Sequence, residues 1–206
     1  MTHRRDFIAS CGALMLALSG CQSVLSRTRL ASLELNDPRP DDYEPVLRAL
    51  IETILPFDHP RFPRISAGEV QKRLLALFPI GEERYLLLQK GLLVFDHVDL
   101  FPTLQTPMVA EERTVGNPTD AAIAECAAQD RSLYGEWRRA FASQADSFIA
   151  LRSQARSAYF GLWGQSAFNA KQLFYHSAKR LVMITAYSMN DFWRAIGYAG
   201  PLLKPS

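Results

Sequence analysis

The chain has little of what most enzyme sites are built from. It carries 3 cysteines and 4 histidines in 206 residues. Two of the cysteines, Cys11 and Cys21, fall in the first twenty-one residues, which leaves Cys126 alone in the body of the chain. A lone thiol excludes an intramolecular disulfide there, and Cys-x-x-Cys-His, the attachment site of a covalent haem, is missing. Gly-x-Gly-x-x-Gly and Gly-x-x-x-x-Gly-Lys-[Ser/Thr] are also missing, so neither a dinucleotide nor a P-loop site is indicated. Gly-x-Ser-x-Gly, the nucleophile elbow, does not occur. No excess of one charge exists either: 23 Lys+Arg face 21 Asp+Glu. That balance gives no footprint for nucleic acid. No alternating apolar run is long enough for a strand.

What is present begins at the N-terminus. Arg4-Arg5-Asp6-Phe7-Ile8 resembles a bacterial twin-arginine export signal, with Arg4, Arg5 and Phe7 as its recognition residues. The run from Ala9 to Gly20 is diluted by serine and glycine. It has the length of a signal h-region and falls short of the ~20 residues a spanning helix needs. Leu18-Ser19-Gly20-Cys21 resembles a lipobox, which makes Cys21 the cleavage and lipidation site. Ile8-Ala9-Ser10-Cys11 matches less well, because no apolar run separates it from the arginines. Cleavage before Cys21 removes Arg4, Arg5 and Asp6, leaving 21 Lys+Arg against 20 Asp+Glu and a net charge of +1. Acyl chains on Cys21 hold a protein on a membrane surface without spanning it. The reading is a signal peptide over 1–20, a tether over 21–42 and a helical domain over 43–206.

Helical periodicity runs through that domain. Val46, Leu47, Leu50, Ile51 and Ile54 share one face, and Pro56 ends their helix. Ser66-Ala-Gly-Glu69 is a capping box opening a second helix. A third spans about Glu82 to Leu100, and Pro102 to Gly116 is irregular. Asn117-Pro118 then reads as an N-cap and first helical residue. The stretch from there to Phe160 reads as one long helix, with Tyr134, Trp137 and Phe141 on one face. Gly161-Leu-Trp-Gly164 reads as an interruption, and a further helix follows from Ser166 to Tyr187. Ser188 or Asn190 caps a short last helix that Gly197 ends. The predicted fold is all-α, a single helical domain of about six helices.

Candidate chemistry is sparse. Asp96 and Asp99 share a helix face at i, i+3, which suits metal ligation, but His97 points elsewhere and a polar helix end accounts for all three. Asp58-His59-Pro60 reads as a turn, His176 as a core or interface histidine, and Cys126 as a buried inert thiol. Aromatics crowd the last third of the chain. Core packing accounts for most of them, yet aromatic anchors also dominate protein interfaces.

Three segments together resemble the gluconate 2-dehydrogenase subunit 3 family. They are Arg4-Arg5-Asp6-Phe7, the helix end Glu52-Thr-Ile-Leu55-Pro56, and the tail Phe192-Trp193-Arg-Ala-Ile-Gly197-Tyr198-Ala-Gly200-Pro201. The lipobox and the loop from Phe57 to Pro63 stand apart from the family pattern. The resemblance implies a non-catalytic small subunit with no cofactor of its own. It implies a large flavoprotein partner of the glucose–methanol–choline type carrying FAD, with haem c in a third, cytochrome c subunit. It further implies export through the twin-arginine route to the periplasmic side of the envelope. On that resemblance Phe192, Trp193, Gly197, Tyr198, Gly200 and Pro201 are the partner-binding residues. The competing reading from the residues alone is a stand-alone membrane-anchored lipoprotein that binds a small molecule or an envelope component.

Overall fold

A computed structural model describes residues 38–60, 62–104, 120–141 and 145–195. They form seven α-helices: α1 Pro40–Ile54, α2 Ala67–Leu77, α3 Leu86–Asp96, α4 Asp120–Phe141, α5 Ser153–Gln165, α6 Asn169–Tyr187 and α7 Asn190–Ala195. Short 3-10 turns at Glu83–Tyr85, Val98–Leu100 and Phe148–Ala150 join them, and no strand occurs among the described residues. The fold is all-α.

α1 starts at Pro40, inside the stretch read as tether. Proline suits the first helical position, where its missing N–H costs nothing. The Arg39 N–H donates to the Asp42 carboxylate at 3.0 Å, and Asp41 and Asp42 place negative charge at the positive end of the helix dipole. Pro45 lies inside the helix on its exposed side. The opposite face, with Tyr43, Val46, Leu47, Leu50 and Ile51, is fully buried. α1 is the central element: α2, α3, α5, α6 and the 148–150 turn all pack against it. At α2 the capping box is complete. Ser66 Oγ accepts from the Glu69 N–H at 3.2 Å, and the Glu69 carboxylate accepts from the Ser66 N–H at 2.6 Å.

The long helix expected from 117 to 160 is two helices. α4 ends at Phe141, and α5 does not begin until Ser153. A strap over 145–150 lies between them and is tied to the end of α3. The Asp96 carboxylate accepts from the Ser147 hydroxyl at 2.9 Å and from the Ile149 N–H at 3.1 Å. The Val98 N–H donates to the Asp146 carbonyl at 3.0 Å, and His97 bridges Ser147. Gly161 and Gly164, read as an interruption, lie within α5. Gly164 is there because the Tyr175 ring of α6 lies against it: a Cβ would stand 2.9 Å from Tyr175 Cδ1.

The core is aromatic. Phe95 is its hub, with ring centroids at 4.5 Å from Phe148, 5.0 Å from Phe174, 5.1 Å from Trp163 and 5.5 Å from Tyr159. Tilted and edge-on rings at such spacings add about 0.5–1.5 kcal/mol per pair beyond their buried area. The predicted aromatic stripe on α4 is present as a ladder, with Tyr134 to Trp137 at 5.6 Å and Trp137 to Phe141 at 6.4 Å. Trp137 Nε1 donates to the Ala155 carbonyl at 3.1 Å and so fastens α4 to α5. Burial pushes the Tyr159 phenol far above its ordinary pKa.

Candidate functional site

The export residues Arg4, Arg5 and Phe7, the lipidation site Cys21, and Gly197, Tyr198, Gly200 and Pro201 of the tail lie outside the described residues. So does the Asn117-Pro118 helix start. Of the tail, Phe192 is fully described. It is buried in α7, on the body of the domain.

Phe192 is the meeting point of two segments far apart in the sequence. The chain leaves α1 at Leu55-Pro56 and enters a proline-rich loop. A run of turns organises it: the Phe57 N–H donates to the Leu55 carbonyl, His59 to Pro56, and Phe62 to His59. These turns bring Phe57 and Phe62 edge to face at 5.1 Å. Phe62 then meets the Phe192 ring at 5.4 Å, and Phe192 meets Tyr187 at 5.0 Å, both edge to face. The relay Phe57–Phe62–Phe192–Tyr187 therefore joins the loop after α1 to the end of α6 and the start of α7. At its other end Tyr187 is 45 % exposed. Arg73 of α2 donates to the Ser188 hydroxyl at 3.2 Å beside it.

The other singled-out polar residues have structural surroundings. Asp96 is occupied in tying down the strap, and His97 takes part in the same junction. Among the described residues no group of three or more His, Cys, Asp or Glu converges to hold a metal ion. His59 is exposed within the turns of its loop. His176, read as a core or interface histidine, lies exposed on α6 with its ring 5.1 Å from that of Tyr175. The reason is angular: α6 turns Phe174 and Leu181 inward, and His176 falls on the opposite side. Cys126, read as buried, is half-buried.

Two arrangements escaped the sequence reading. The first is an ion pair sealed inside the domain. Lys171 Nζ lies 2.6 Å from Asp130 Oδ2, with side-chain exposures of 1 % and 0 %. The Asp130 carboxylate also accepts from the Ser166 hydroxyl at 2.8 Å and the Ala167 N–H at 3.0 Å. The Lys171 ammonium donates to the Phe101 carbonyl at 2.5 Å and sits 4.3 Å from the Phe101 ring centre. A signal for it existed. Asp130 continues the α4 stripe of Tyr134 and Trp137 at helical spacing, which puts it on the same side of the helix as buried Trp137.

The second is a polar groove of about 430 Å³ along α1, closed by Gln71 and Arg156. Hydrogen bonds and one ion pair cross it. Arg48 Nε donates to Gln71 Oε1 at 2.8 Å, and Arg156 Nη1 pairs with Glu52 at 3.1 Å. Arg156 Nη2 caps the Ile149 carbonyl at 2.9 Å.

The arrangement defines a helical protein with an aromatic core, a sealed charge network and an aromatic relay that ends on half-exposed Tyr187. Comparison with family models, with curated proteins and with solved structures returns no match. No helix among the described residues is long and apolar enough to cross a membrane.

Proposed function

We propose that this chain is a non-catalytic accessory small subunit of a periplasmic FAD-dependent dehydrogenase of the glucose–methanol–choline type. In this role it helps the flavoprotein mature, accompanies it through the twin-arginine route, and holds the complex at the membrane through a lipid on Cys21. FAD belongs to the large subunit, and a cytochrome c subunit carries haem c. One observation supports the reading most. The loop that follows the resemblance-bearing helix end Leu55-Pro56 packs on Phe192 of the resemblance-bearing tail, through the Phe62–Phe192 contact at 5.4 Å. Residues separated by most of the domain thus form one surface feature. An aromatic cluster with an exposed rim is the kind of anchor that protein interfaces use.

The test is the export of the partner. Replacing Arg4 and Arg5 by lysine is expected to leave the flavoprotein dehydrogenase in the cytoplasm and to abolish its periplasmic activity. Normal periplasmic activity in that variant overturns the proposal. Native purification supplies a second arm: a flavin-bearing protein is expected to copurify, and a monomer that copurifies with none favours the stand-alone lipoprotein.

A further inference from the structure

We propose that the outer face of α6 is a seat for an anionic phospholipid surface. This goes beyond the accessory-subunit reading and does not need the lipid on Cys21. α6 has the sequence NAKQLFYHSAKRLVMITAY, without one acidic residue. Its inward face buries Phe174, Leu181, Val182 and Ala186 in the core. On the outward face His176, Arg180 and Ile184 follow one another at i, i+4, and Tyr187 comes three residues later, so all four share one side. All four are exposed, Ile184 at 43 % and Tyr187 at 45 %. Exposed Lys179 flanks them, its ammonium 5.8 Å from the Tyr175 ring centre. Arg73 stands at the far end through its bond to Ser188. Asp191, the nearest acid along the chain, belongs to α7.

The chemistry of this face fits headgroups. Long flexible cations beside a large aliphatic and a tyrosine match the composition of interfacial helices, in which apolar side chains dip below the phosphates that the cations meet. Tyrosine favours that boundary because one end is apolar and the other is wet. The charge is local, because the chain as a whole is nearly balanced. An acidic protein is the rival occupant. Lysine, one of the two cations on this stretch of α6, is depleted in protein interfaces, however.

The test is sedimentation of the full chain carrying Cys21→Ser with two vesicle types. One is pure phosphatidylcholine, and the other has a third of its lipid replaced by phosphatidylglycerol. The signal segment contributes equally to every variant. Wild type is expected to prefer the anionic vesicles. Lys179→Gln with Arg180→Gln is expected to lower that partition about 25-fold, at about fivefold per cation. Ile184→Ser with Tyr187→Ser is expected to lower it as well. Arg131→Gln with Arg139→Gln, exposed on α4, is expected to change nothing. All six positions are exposed, so the helical circular dichroism is expected to stay intact. Equal binding of wild type to both vesicle types overturns the proposal. So does an unchanged partition of the Lys179/Arg180 variant, or an equal fall in the α4 variant. A Lys179/Arg180 variant that keeps its vesicle binding but loses a copurifying protein also overturns it, and gives the face to a protein partner.

Discussion

Asp130 and Lys171 meet at 2.6 Å with neither side chain open to solvent, and α4 and α6 are held together at that point by charge. Burying two ions costs several kcal/mol each before their attraction is counted, so the pair is not in itself a source of stability. Removing one partner strands the other. Asp130→Ala is expected to destabilise the domain by about 3–5 kcal/mol. Asp130→Leu combined with Lys171→Met is expected to recover most of that loss. Urea unfolding of the two variants checks this, and equal losses would show that the charges act independently.

Gly164 and Gly135 are both helical, and alanine is expected to act in opposite directions at the two. At Gly164 a methyl group would press on the Tyr175 ring, which is itself held 4.6 Å from Phe160. Gly164→Ala is expected to cost about 1–3 kcal/mol by overpacking. At Gly135 an added Cβ would meet nothing within 4 Å, and alanine there is expected to stabilise by about 0.5–1 kcal/mol through helix propensity. Thermal unfolding of the two variants reads the difference in sign.

The Phe62–Phe192 contact is open to a double-mutant cycle. Phe62→Leu, Phe192→Leu and the double variant are expected to show a coupling of about 0.5–1.5 kcal/mol. A coupling near zero in denaturant titrations would separate the loop after α1 from α7 and remove the main support for a composite partner surface.

Glu69 gives the domain a defined pH response. Hydrogen bonds from the Ser66 N–H and hydroxyl hold its carboxyl below the ordinary glutamate range. A depressed folded-state pKa adds stability that is present above the unfolded value and is lost as pH falls through the folded one. Wild type is therefore expected to be more stable than Glu69→Gln at neutral pH, and the gap is expected to close in acid. Melting temperatures of the two proteins across an acidic pH series measure it. A gap that persists at the acid end would assign the effect to something other than ionisation.

The features legible in the sequence were those fixed locally. The Ser66–Glu69 box marked its helix because both partners lie within one turn. The faces of α1 and of the Tyr134–Phe141 ladder followed from spacing alone. The break between α4 and α5 was not legible. The strap that lies there is held from another helix, by Asp96, whose carboxylate accepts from Ser147 and Ile149. Gly161 and Gly164 misled for a similar reason, since the second is set by a ring from α6 rather than by local chain reversal. Lys171 reads as an ordinary surface lysine in Asn169-Ala-Lys-Gln, and only its partner on α4 explains its burial. The Phe62–Phe192 contact was equally hidden, although both of its segments had been singled out separately.

The central place of α1 has a consequence for synthesis. It is the first of the described helices to leave the ribosome, yet it packs against α5 and α6, which come late. α2 and α3 follow it directly and can cover part of its apolar face, but its contacts with α5 and α6 must wait until most of the chain has been made, and contacts of such long sequence separation form slowly. A truncated or stalled product would leave the part of that face that α5 and α6 cover open to chaperones and proteases. Completion of α6 is therefore the step that closes the core around α1.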